Sequence, residues 1–164
     1  MPPLAELHRQ QETLIFPHFT TQDAFELGSH LRTEALLAHP RTPVAIRISL
    51  PTGQILFTTV TCSPAVPDSE SWLNRKAATV LRYGCSTLYL GEKMRSKGLK
   101  GDRISEMAPV DDAQYACHGG GFPVRIRGIE GVVAVIVVSG LAQEEDHKIV
   151  VEGIEWFLEH VQKK

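Results

Sequence analysis

Apolar residues recur along this chain with two different periods, and the changes of period mark its elements. Ala24, Leu27, Leu31 and Ala35 return at helical spacing behind Thr20-Thr21-Gln22-Asp23, which has the form of a capping box, and Pro40 forbids continuation. The spacing predicts a helix. Val44, Ile46, Ile48 and Leu50 then alternate with Ala45, Arg47 and Ser49, the period of two expected of a strand with one face buried. Leu50-Pro51-Thr52-Gly53 reads as a turn, because Pro51 presets φ and Gly53 tolerates φ > 0, so the run Ile55 to Val60 is predicted to return as an antiparallel partner.

The remaining elements follow by the same reading. Leu4 to Glu12 predicts a short polar helix, with residues 1–13 forming an N-terminal extension, and Leu14-Ile15-Phe16 a brief strand that Pro17 interrupts. Asp68 is a candidate N-cap for a helix carrying Leu73, Ala77, Val80 and Leu81 and ending at Gly84. Another helix is predicted from near Ser86 to Gly98, followed by a surface loop from Leu99 to Ala116. Phe122, Val124 and Ile126 alternate, residues 128–131 read as a turn, and Val132 to Val138 is a β-branched run suited to a central strand. A last helix opens after Ser139-Gly140, with Glu144, Glu145 and Asp146 at its positive end and Val150, Ile154, Phe157, Leu158 and Val161 inward. The fold class is therefore α/β (α+β), read as one domain over 1–164.

Composition narrows the function classes. Lys and Arg total 17 against 19 Asp and Glu, so the chain lacks the positive excess that nucleic-acid binding demands. The longest apolar run is too short to span a bilayer, and no signal-peptide pattern opens the sequence. Three cysteines, Cys62, Cys85 and Cys117, without Cys-x-x-Cys spacing, fit reduced thiols, and the expected location is cytoplasmic. Absence of a Gly-x-Ser-x-Gly elbow argues against a serine hydrolase, and absence of His-Glu-x-x-His or paired cysteines against a metal site.

One constellation has chemical content. A turn centred on residues 128–131 sets Gly120 opposite Ser139 and His118 near Leu141, beside the start of the last helix. His118-Gly119-Gly120-Gly121 offers amides without side-chain cover, and the helix terminus adds unpaired donors, so the corner can hold a carboxylate or phosphate. His147 shares the inward helix face and can reach the same cleft; equally, it is a satisfied core histidine and the glycines serve close packing. Trp72, Arg75, Lys76 and Arg82 lie along one helix, either engaging an anion or partner or forming a solvated face.

Four segments together, Phe19 to Gly28, Trp72 to Lys76, Ala116 to Gly120 and Ser139 to His147, resemble the haem-degrading-domain, or HbpS-like, family, in its branch of small uncharacterised cytosolic proteins. The resemblance implies a three-layer α/β/α fold of profilin-like type with a five-stranded antiparallel sheet, and assembly into a homo-oligomer. It also implies haem, held non-covalently since no Cys-x-x-Cys-His motif exists, with His118 or His147 as axial ligand and Arg75, Lys76 or the glycine corner for the carboxylates. The candidate ligand-binding set is Arg75, Lys76, His118, Gly119, Gly120, Ser139, Gly140, Asp146 and His147. The alternative is a non-enzymatic homo-oligomeric scaffold that recruits protein partners, with the same corner structural.

Overall fold

The computed structural model describes residues 1–162, so the last two residues of the expected domain lie outside the described part. Helices α1 (Leu4–Thr13) and α2 (Thr21–Ala38) precede strands β1 (Ala45–Ser49) and β2 (Ile55–Val60). Helices α3 (Pro67–Tyr83) and α4 (Thr87–Ser96) follow, then strands β3 (Gly121–Val124) and β4 (Ala134–Ser139) and helix α5 (Gln143–His160). The capping box at α2 forms in full: Asp23 N–H donates to Thr20 Oγ1 at 3.1 Å, and Thr20 N–H to Asp23 Oδ2 at 2.7 Å. Helix α3 instead starts on Pro67, with Val66 at the cap position and Asp68 in the first turn. Proline at the first helical position loses no bond that the helix would have made.

The sheet has four antiparallel strands in the order β2-β1-β4-β3. Five were expected. The segment Leu14 to Phe16 makes only one parallel bridge, Phe16 to Ile126, in which Phe16 N–H donates to Arg125 O and Arg127 N–H to Phe16 O, each at 2.9 Å. Pro17 has no N–H to extend the ladder, which explains why pairing stops there.

That bridge also shifts the second hairpin. Residues 125–127 turn away to meet Phe16, and Ile129 N–H closes a turn on Ile126 O, so the reversal begins two residues before the expected 128–131. Gly121 pairs with Val137, and Val138 N–H donates to Gly120 O at 3.0 Å; the expected pairing of Gly120 with Ser139 is off by one residue. Strand β4 accordingly begins at Ala134 rather than Val132.

All residues of β1 and β4 are buried, because both faces of the sheet are covered. Ile46, Ile48, Phe122, Ile136 and Val138 pack with α2 and α5 residues such as Leu27, Leu31, Ile154 and Phe157. Ala45, Val135 and Val137 pack on the other face against Leu73 and Val80 of α3. Within the predicted loop from Leu99 to Ala116, a single 3-10 turn over Ile104–Glu106 buries Ile104 in a small core with Leu90, Met94 and Cys117. Among the described residues, no helix is long and apolar enough to cross a membrane.

Candidate functional site

The C-terminal end of β4 meets α3, the His118 segment and the start of α5, and an open cleft of about 360 Å³ lies where they join. Its floor follows from α3. Leu73, Lys76 and Val80 are spaced three and four apart, so Lys76 lies on the apolar face that packs on the sheet and is only 2 % exposed. An ammonium there requires acceptors, and two are present: Val138 O at 3.1 Å and Asp146 Oδ2 at 3.2 Å. Asp146, 1 % exposed in the first turn of α5, also accepts from Gly140 N–H at 3.3 Å and Leu141 N–H at 3.1 Å.

Burial disfavours both charges and the pairing opposes it. The Asp146 carboxyl is pushed up to about 6 by desolvation, with Lys76 and the two amides pulling the other way, so it is a carboxylate at neutral pH. Lys76 is drawn below the ordinary ammonium range, again by burial first. Gly120 makes room for this pair. Its φ of +130° disfavours side chains, and an added Cβ would collide with Val138 O and lie 2.9 Å from Lys76 Nζ.

Trp72 and His118 form the wall. The imidazole meets the indole edge-on, with centroids 5.2 Å apart and planes at 84°. Burial, with the charges of Lys76 and Arg75 adding to it, holds His118 below the usual imidazole range and therefore neutral at pH 7. Its Nδ1 is buried without a partner, which leaves Nε2 as the ring nitrogen available to a ligand. Ser139, Gly140, Leu141 and Gln143 complete the lining.

The structure thus brings together Lys76, His118, Ser139 and Gly140 around the cleft, with Asp146 beneath them. The other candidates are engaged elsewhere. Arg75 donates to Asp112 O at 3.1 Å and Tyr115 O at 3.3 Å and lies over the Trp72 face at 4.5 Å, fastening the loop before His118. Gly119 N–H is taken by Gln143 Oε1 at 3.2 Å, and its neighbour Gly121 N–H by Thr87 Oγ1 at 2.9 Å, so neither amide is open. Gly119 and Gly120 instead permit close approach, since a Cβ on Gly119 would collide with Gln143 O. His147 faces away from the cleft, toward α1, where its Nε2 meets Gln10 Oε1 at 2.8 Å and its ring lies 6.1 Å from Phe122. The sequence set Leu141 beside His118, but nothing in it placed Trp72 and Gln143 in the cleft. The spacing of Lys76 between Leu73 and Val80 was the available signal for that wall.

The chain is similar to known proteins over nearly its whole length. A family model described as haem degrading protein HbpS-like matches residues 19–155. A UPF0303 protein of Streptomyces coelicolor is 43% identical over 157 residues, spanning 96% of this chain and 94% of its own. The crystal structure of the Ybr137w protein, a UPF0303 protein of Saccharomyces cerevisiae, superposes with a TM-score of 0.89 at 38% identity, covering 98% of this chain and 90% of that one. A PduOC:heme complex shares the fold at a TM-score of 0.63 and 20% identity, over 84% of this chain and 93% of its own. With the family model covering most of its length and these relatives matching nearly end to end, the chain belongs to the HbpS-like family of haem degrading proteins.

Proposed function

We propose that this chain is a small-molecule-binding protein whose site is the cleft between Trp72, His118 and the β4–α5 corner, with His118 Nε2 as the principal contact. One observation carries the reading: a buried ion pair, Lys76 with Asp146, forms the floor of an open cleft and sits beside an imidazole kept neutral. Buried ion pairs contribute little to stability relative to apolar replacements, so their presence under a cleft favours a role there. The cleft volume falls at the lower end of the range for small-molecule sites.

Haem is the ligand that the family name and the PduOC:heme neighbour put forward. A neutral imidazole with an available Nε2 would suit coordination of a haem iron. His147 does not, because Gln10 takes its Nε2 and its Nδ1 is buried. The carboxylate partners fit less well: Arg75 is bound to loop carbonyls and the charge of Lys76 is matched by Asp146.

Hemin titration tests His118. The expected result is a saturable, stoichiometric Soret shift that His118→Ala removes and His147→Gln retains, with far-UV circular dichroism confirming that both variants fold. A titration that never saturates would remove haem as the ligand, and a saturable one unchanged in His118→Ala would remove His118 as the contact.

Assembly into a homo-oligomer belongs to the same proposal. Phe25 and Leu37 on α2 and Ile55 on edge strand β2 are 57%, 73% and 46% exposed, leaving apolar surface next to an unpaired strand edge. Multi-angle light scattering is expected to give a mass of at least two chains; a mass of one chain at micromolar concentration would refute assembly.

A further inference from the structure

The Lys76 ammonium carries more donors than the protein uses. Of its three N–H bonds, two have oxygen acceptors among the described residues, Val138 O and Asp146 Oδ2; the third has no oxygen acceptor, the Trp72 ring centroid lying 5.8 Å from Nζ. The side chain is nevertheless 2 % exposed, and it lines the cleft together with Trp72 and His118. A buried charged donor left short of a partner is a strong local demand for an acceptor.

The charge balance decides which acceptor suits it. Asp146 Oδ2 lies 3.2 Å from Nζ and cancels the ammonium charge, and a carboxylate or phosphate approaching the same nitrogen would be repelled by that oxygen across a poorly solvated gap. An uncharged oxygen meets no such repulsion. Gln143 reinforces this preference: Gly119 N–H occupies its Oε1, so the group it can offer to a ligand is its amide N–H₂, a neutral donor.

We propose that the inner end of the cleft recognises a neutral carbonyl oxygen through Lys76 Nζ, so that the ligand group seated there is an uncharged carbonyl rather than a carboxylate or phosphate. The inference rests on the cleft being a ligand site, and it names the chemistry of the part of that cleft lined by Lys76. Gly120 has a defined part in this arrangement, because any side chain there would displace Nζ from its position.

Nicotinamide and nicotinate form the test pair, since they share one ring and differ in carrying a neutral amide or a carboxylate. Binding is followed on the full chain by ¹H–¹⁵N shifts of the Trp72 indole and Gln143 amide signals. Nicotinamide is expected to shift both saturably, with nicotinate weaker by about tenfold or more. The double variant Lys76→Met with Asp146→Asn, which removes both charges and avoids a lone buried carboxylate, is expected to lose nicotinamide binding while keeping its dispersed spectrum. Equal or tighter binding of nicotinate, no binding of either compound, or undiminished nicotinamide binding by the folded double variant would each overturn the proposal. Hemin binding through His118, with nicotinamide failing, would leave the cleft standing as a site and remove only the carbonyl assignment.

Discussion

Lys76→Met is expected to destabilise the protein by about 3–5 kcal/mol, the usual consequence of deleting one partner of a buried ion pair. The loss comes mainly from what is left behind. Asp146 is 1 % exposed, and without the ammonium its carboxylate keeps only the Gly140 and Leu141 amides as partners. The same substitution leaves Val138 O without its side-chain donor at the end of β4. Adding Asp146→Asn to Lys76→Met is expected to recover most of the loss, because the amide oxygen still accepts from one of the two backbone N–H groups and no charge remains to be desolvated. Urea unfolding followed by circular dichroism measures both. A single variant within about 1 kcal/mol of the parent would show that this pair does not hold β4, α3 and α5 together.

The second large effect is a pH dependence assigned to His147. Burial pulls this imidazole down to about 4 from its ordinary 6.5. The hydrogen bonding agrees: Nε2–H donates to Gln10 Oε1, and a proton on the buried Nδ1 would have no acceptor. With the folded value depressed, the unfolded chain binds the extra proton between pH 6.5 and 4. Stability from this group is therefore complete above pH 6.5 and is lost as pH falls toward 4. Between pH 7 and pH 5 the loss is about 2 kcal/mol.

Asp146 acts in the opposite sense over a neighbouring window. Its folded value, raised to about 6, makes the folded state take up a proton before the unfolded chain does as pH falls through 6. The wild-type curve alone mixes the two, so the measurement is a difference: the stability of wild type relative to His147→Gln should shrink by about 2 kcal/mol from pH 7 to pH 5. Parallel pH profiles for the two proteins would show that His147 is not the group responsible.

Much of the architecture is legible in the order of the residues. The Thr20 to Asp23 box starts α2 where expected, since capping depends on residues three apart and on nothing distant. The alternation from Val44 to Leu50 and the turn at Pro51 to Gly53 give the β1–β2 hairpin for the same local reason. Where expectation and fold differ, a distant contact intervenes. Phe16 draws residues 125–127 out of the second hairpin, which moves its register by one residue and reduces an expected fifth strand to a single bridge.

The candidate site divides along the same line. Convergence of the His118 segment on the start of α5 follows from one hairpin folding back on itself, and the structure puts His118, Ser139, Gly140 and Leu141 on one cleft. Periodicity also puts His147 on the inward face of α5, and it is buried. Which interior it enters is beyond periodicity, because α1, more than a hundred residues away in sequence, supplies Gln10.

The sequence by itself determined the order of the helices and of the four paired strands, the family, and the meeting of His118 with the last helix, because each depends on short-range spacing or on a motif. Tertiary structure alone decided that Lys76 is a buried partner of Asp146 rather than part of a solvated face, that Arg75 fastens a loop, and that the Gly119 and Gly121 amides are taken within the protein. The physical reason is common to all three: a charge or an amide takes its state from the acceptors and the solvent around it, and those are assembled from residues far apart in the chain.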